Sequence, residues 1–172
     1  MSEPLGAHLP GAGSDLPFLR EAEMRQAQDL LFFAYRDFTN AADVALEELG
    51  FGRAHHRVLH FVGRSPGINV SDLLGILRIT KQSLSRVLGQ LVRQGFIVQR
   101  PGAQDRRQRL LDLTLKGCEL ERQLSASQRA RVANAYRRAG AQAVEGFRGV
   151  LLEIIADEDD RRRFQRVSPA KR

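Results

Sequence analysis

At 172 residues, 42% of them hydrophobic, the chain suits one domain with a real core. A formal charge of +7 and a pI near 10.6 favour a polyanionic partner, either nucleic acid or an anionic membrane surface. No apolar run approaches the ~20 residues of a membrane span, no basic-then-apolar leader opens the chain, and one cysteine excludes an internal disulfide framework. The expectation is a soluble cytoplasmic protein.

Residues 1–14 are Gly/Pro/Ala-rich and aperiodic, which reads as a disordered arm. A long helix should start near Asp15 or Pro17 and run to about Leu49, with a wide apolar stripe through Leu30, Leu31, Phe33, Ala34, Phe38, Ala41, Ala42, Ala45 and Leu49. Gly50 and Gly52 break it. A second helix over 53–63 buries Ala54, Val58, Phe61 and Val62. It carries His55, His56 and His60, of which His56 and His60 stand at i, i+4, a spacing that can hold a metal or an axial haem ligand. No Cys, Asp or Glu completes a set nearby, so a structural role comes first and no cofactor is expected. Pro66-Gly67 turns the chain, Ile68 suits a short strand, and Asn69 can cap a helix through Leu77 with Asp72 at its third position.

Residues 80–117 carry most of the functional signal. Thr80 can cap a helix by accepting from the Ser83 N–H, and Leu84, Val87, Leu88, Leu91 and Val92 give it an apolar face at helical spacing. Gly95 suits the left-handed residue that ends it. The other face bears Lys81, Gln82, Ser83, Ser85 and Arg86, with Gly89, Gln90 and Arg93 further on. Residues 96–100 and 109–113 are short strand candidates around a Pro-Gly-initiated turn that holds Arg106 and Arg107, with Arg100 and Arg109 at its edges and Asp105 as its single acid. Such a cluster repels itself unless it meets an anion, and the narrow minor groove of DNA attracts inserted arginines. A solvated helix face and a turn whose Asp caps its own loop are the plainer alternatives. The two elements in sequence favour a winged helix-turn-helix, with residues 69–77 and 80–94 as the helix pair.

Thr114 can cap a helix of about 25 residues ending near Gly140, and a last helix should run from about Ala141 to Phe164. Val144, Phe147, Leu151, Ile154 and Ile155 are more apolar surface than a lone terminal helix covers. The basic clusters Arg161-Arg162-Arg163 and Lys171-Arg172 read as solvated tail.

Residues 51–117 resemble the MarR family of winged helix-turn-helix regulators, most recognisably in Asp105-x-Arg107 followed by Leu113-Thr114-x-x-Gly117. The runs FGRAHHRVLHFVGR (51–64) and ITKQSLSRVL (79–88) are further similar to a narrower, PetP-like group within it. The resemblance implies a mainly α fold with a small β wing and a single domain over 15–164. Within it, 51–113 would bind DNA, 15–49 and 114–164 would dimerise, and 165–172 would form a flexible tail. It implies a homodimer on a pseudo-palindromic double-stranded operator, usually repressing and often released by a small ligand or oxidant. In that frame Lys81, Ser83 and Ser85 meet phosphates or shallow base edges, while Gln82 and Arg86 have the reach for adenine and guanine. Arg107, with Arg106 second, enters the minor groove; Arg100 and Arg109 face the backbone, and Asp105 holds an arginine fork in place. The family also suggests an effector pocket lined by Tyr35, Phe38, His56 and His60. Its peroxide sensors carry their cysteine in the first helix, which has none here, so Cys118 reads as an ordinary thiol.

A sequence-specific regulator is therefore favoured, acting at the nucleoid with no membrane partner. A nonspecific architectural DNA binder shares the charge without needing a specificity helix. An enzyme finds no support in any acid–base pair, nucleophile constellation or phosphate loop.

Overall fold

A computed structural model describes residues 16–103 and 105–167. The expected arm at 1–14 and the last five tail residues lie outside that range. The chain divides into two compact units, residues 1–38 and 39–172, with the boundary inside the first long helix.

In the first unit a 3-10 turn, Pro17–Leu19, leads into α1 (Glu21–Glu47), which starts after Pro17 instead of at it. Leu30, Leu31, Phe32, Phe33 and Tyr35 are all exposed. Phe32 and Phe33 meet edge to face, and the Arg36 guanidinium lies 4.9 Å from the Phe33 ring centre.

In the second unit the end of α1 buries Thr39, Ala42 and Leu46. Gly50, with φ 66°, turns the chain into α2 (Arg53–Arg64), whose Val58, Leu59 and Val62 are fully buried. Ala54 and Phe61, expected inside, pack only partly buried against this core. Then follow β1 (Ile68–Asn69) and α3 (Val70–Leu77), capped as anticipated by Asn69 accepting the Asp72 N–H at 2.8 Å. Thr80 caps α4 (Lys81–Arg93) through the Ser83 N–H at 3.1 Å. Gly95 ends it at φ 76°, a conformation open to glycine without steric cost.

Strands β2 (Ile97–Pro101) and β3 (Arg109–Leu113) form the hairpin, and β1 adds an antiparallel third strand in the order β1-β3-β2. Ile97 faces Leu113 and Pro101 faces Arg109. α2 packs against α3, α4, α5 (Leu115–Ala139) and β3, so one apolar core underlies both the helix pair and the sheet.

The Leu-Thr-x-x-Gly segment joins these parts. The Thr114 hydroxyl donates to the Gly95 carbonyl at 2.6 Å and accepts the Gly117 N–H at 3.0 Å, capping α5 and tying it to the end of α4. A Cβ at Gly117 would stand 2.0 Å from the Phe96 carbonyl oxygen, so the close approach of α5 to the start of β2 requires glycine. Lys116 donates to the Gln94 carbonyl at 2.9 Å and lies 4.2 Å from the Phe96 ring centre.

The C-terminal helix anticipated over 141–164 is two helices, α6 (Ala141–Ile154) and α7 (Glu158–Val167). Asp157 makes the break: its carboxylate accepts the N–H groups of Asp159 and Asp160, starting a new helix. α7 runs past the expected start of the tail at 165. Its arginines are not simply solvated, since Arg161 donates to the Ile155 carbonyl at 2.6 Å and Arg163 pairs with Asp160.

Candidate nucleic-acid interface

The apolar face of α4 is spent on the core, where Leu84, Val87, Leu88 and Leu91 are buried. That fixes which residues turn outward. Lys81, Gln82, Ser85 and Arg86 are exposed along the first two turns, and neither cation has a carboxylate partner among the described residues. The N-terminus of a helix favours an approaching anion, so the exposed groups and the helix dipole act in the same direction. Ser83 is different. It is half-buried, its Oγ accepts the Thr80 hydroxyl at 2.9 Å, and its N–H completes the cap.

Gln90, placed by periodicity on the outer face, is drawn inward. His55 Nε2 lies 2.9 Å from Gln90 Oε1, and the Gln90 amide donates to the Gly50 carbonyl at 3.4 Å. His55 Nδ1 accepts the Gly52 N–H at 3.1 Å, so Nε2 carries the hydrogen it gives to Gln90. The imidazole also stacks on Phe51, 4.6 Å between centres and 9° from parallel. His55 and Gln90 thus brace the start of α2 to α4. The i, i+3 step from Gly52 to His55 was a local clue to the cap; nothing local pointed to a partner 35 residues away.

The hairpin tip is built by its backbone. Gly102 donates to the Gln108 carbonyl, Gln108 donates to that of Asp105, and a Cβ on Gly102 would come 2.7 Å from the Asp105 oxygen. Asp105 was expected to hold an arginine fork. Its carboxylate instead accepts the Arg107 backbone N–H at 2.9 Å, an Asx turn that sets the loop. Arg106, Arg107 and Arg109 are exposed and without a carboxylate partner among the described residues. Arg100, expected at the phosphate backbone, is ion-paired across the hairpin to Asp112 at 2.6 Å, which holds its guanidinium above its usual pKa. Lys81, Arg86, Arg106, Arg107 and Arg109 are therefore five cations on the helix face and wing with no neutralising acid among the described residues, a surface that attracts a polyanion.

The helix-two histidines occupy a different setting. His56 is 9% exposed and its Nε2 is buried without a hydrogen-bond partner. His60 Nδ1 lies 3.6 Å from Glu121 Oε1 on α5, and Ser125 donates to the same oxygen at 2.5 Å. Burial first of all holds both imidazoles below their ordinary pKa; His60 and then Arg57 lower His56 further against Glu121 and Asp43, while at His60 Glu121 opposes burial more strongly than Arg64 reinforces it. Glu121 is the acid that the sequence did not place near them. Among the described residues no group of three His, Cys, Asp or Glu could hold a metal ion. Tyr35 is exposed and Phe38 half-buried, both within the first unit. Cys118 is exposed. No helix among the described residues is long and apolar enough to cross a membrane.

Comparison with known proteins agrees with this construction. The MarR family profile matches residues 49–108, the span from the end of α1 through the wing loop. The HTH-type transcriptional regulator PetP of Rhodobacter capsulatus is 48% identical over 162 residues, covering 94% of this chain and 96% of that protein. Streptococcus pneumoniae FabT, solved in complex with DNA, superposes with a TM-score of 0.67 at 19% identity, over 76% of this chain and 94% of that one. A mutant MarR from E. coli complexed with operator DNA gives 0.59 at 20%, over 77% and 96%. With a mainly helical fold, a three-stranded wing sheet and a near-full-length relative at this identity, the chain belongs to the MarR family of transcriptional regulators.

Proposed function

We propose that the protein is a homodimeric, sequence-specific repressor acting in the cytoplasm at the nucleoid, where it reads a pseudo-palindromic double-stranded operator. The observation that carries this reading is the unneutralised cation set on the outer face of α4 and the wing, beside the short polar groups Gln82 and Ser85. Gln82 and Arg86 read base edges in the major groove; Lys81 and Ser85 meet phosphates there. Arg107, seconded by Arg106, enters the minor groove, and Arg109 lies along the backbone. Ser83 and Arg100 act more indirectly, through the α4 cap and the hairpin.

The family relatives solved with DNA support the choice of partner. The second copy is supported by apolar surface left open on each unit: Leu30, Leu31 and Phe33 on α1, and Phe147, Val150 and Ile154 on α6. A two-fold pair would set its two α4 helices about 34 Å apart, in successive major grooves. An effector, if the protein is released by one, is read at the His56–His60 side of α2. The purified protein should carry no haem and no metal, which an absorption spectrum and elemental analysis check.

Selection of bound DNA from genomic fragments gives the operator and its half-site spacing. A protein that binds random and selected duplexes alike is an architectural binder, and the repressor reading fails. Arg107→Ala should weaken operator binding and lower the slope of log affinity against log salt by about one contact's worth. Gln82→Ala should instead relax base preference at one position, a loss of about 1–3 kcal/mol in discrimination.

A further inference from the structure

Arg78 is the sole described residue other than glycine with a positive φ, 49°, where it closes α3 in the left-handed conformation. Glycine or asparagine fits such a cap at less cost, so an arginine there points to use of its side chain. It stands in the turn of the helix-turn-helix, two residues before the Thr80 cap and so within about 7 Å of it along the backbone. The first helix of such a pair crosses the DNA backbone, which places its C-terminal cap near phosphate.

At present that side chain is engaged elsewhere. Arg78 Nη2 lies 2.6 Å from Asp157 Oδ2 and 2.9 Å from Asp160 Oδ2, at the start of α7. Arg163 of α7 pairs with Asp160, and its guanidinium lies where a Cβ on Gly75 of α3 would meet it at 2.9 Å. No residue of α7 whose side chain is described is buried, and Phe164 is exposed. A cleft lined by Asp72, Ile76, Asp159 and Arg163 runs between α7 and α3. α7 is thus held to the helix pair by exposed charge pairs, which salt and competing anions weaken.

We propose that Arg78 is a further phosphate-contacting residue of the helix-turn-helix, and that Asp157 and Asp160 hold it off the DNA backbone until phosphate displaces them. The acidic start of α7 acts as an internal mimic of the phosphate it excludes. The proposal rests on the DNA-binding reading above and adds a brake to it.

The test is a cycle on the full chain, using a duplex of random sequence and fluorescence titrations at several salt concentrations. Asp157→Asn/Asp160→Asn keeps a side chain able to cap α7 while removing both charges. Arg78→Gly removes the guanidinium and relieves the positive φ, so the fold is not put at risk. The Asp pair variant should bind several-fold tighter, with the salt slope steeper by about one. In the Arg78→Gly background the same two changes should produce no such gain. An equal gain in both backgrounds would mean a general charge effect, and no gain in either would mean that Arg78 never reaches DNA; each overturns the proposal. Failure of the unmodified protein to bind any duplex at low salt would instead strike the DNA-binding reading itself.

Discussion

The winged-helix region and the terminal helices spend their apolar residues in opposite ways. Between Phe51 and Leu113 most large apolar side chains converge on one core, in which Val58, Leu59, Val62, Leu73, Leu91 and Leu111 are fully buried; Val98 is exposed, and cationic and polar groups dominate the rest of the outward face. On α1 before residue 39 and on α6 many large apolar side chains are exposed, Leu30 and Phe32 at 64% and Val150 at 61%, and none is buried. The first region closes its core with Ala42 and Leu46 of α1 and Leu120 and Leu124 of α5, and leaves its surface to a polyanion. The others present apolar surface that the described residues leave open.

The widest way to break this contrast is to substitute one residue from each side. Leu91→Ala in the closed core should cost about 2–5 kcal/mol, since it leaves a cavity beneath α4. Thermal melting should show the loss at every protein concentration. Phe147→Glu on α6 should leave the core intact yet convert a dimer to a monomer in light scattering, and any fall in Tm should disappear on dilution. If Phe147→Glu melted like Leu91→Ala, or kept the dimer mass, α6 would not be an open surface.

A second prediction tests the polar seam where α2 of the closed region meets α5. His56 and His60 both have pKa values below the ordinary imidazole value of 6.5, through burial first of all. Around His56 stand His60 and Arg57, which lower its value further, and Glu121 and Asp43, which raise it; Arg64 and Glu121 play these parts at His60. The folded protein therefore takes up protons less readily than the unfolded chain. Stability is complete above 6.5 and is lost as pH falls through the lowered folded values. Melting should show a fall in Tm between about pH 7.5 and 5.5. His56→Gln should flatten that dependence more than His60→Gln, whose parent side chain is 40% exposed. A Tm that ignores pH in this window would mean that His56 is not buried as described.

Much of the closed region could be read from residues that act locally. The caps at Asn69, Thr80 and Thr114, the stop at Gly95 and the apolar spacing of α4 each depend on neighbours within one or two turns, and each was legible. Contacts made over long separations were not. The His55–Gln90 brace joins α2 to α4, and the Arg78–Asp157 pair spans most of the second unit. Periodicity placed Gln90 outside because it counts faces, not partners. The break before α7 was missed for another reason. Ile154, Ile155 and Phe164 continue a helical apolar pattern, and this outweighed the local start signal of Asp157 followed by three acids. The wing loop lies between these cases: Arg106, Arg107 and Arg109 are exposed, Arg100 is paired with Asp112, and the acid expected to hold an arginine fork accepts the Arg107 backbone N–H.

That acid gives the smallest and most discriminating effect. Asp105 is exposed and sets the hairpin tip by accepting the Arg107 N–H, so Asp105→Ala should change folding stability by no more than about 0.5 kcal/mol. It should nonetheless weaken DNA binding modestly, because Arg107 would enter the groove from a less ordered loop. Asp105→Asn keeps a carbonyl oxygen able to accept the same N–H while losing the charge. If the role is the backbone turn, gel-shift titrations should find Asp105→Asn binding at least as well as wild type, with one negative charge fewer beside the DNA. If the carboxylate worked by gripping a guanidinium, Asp105→Asn would weaken binding as much as Asp105→Ala does. The asparagine variant therefore separates a turn that presents an arginine from an ion pair that restrains one.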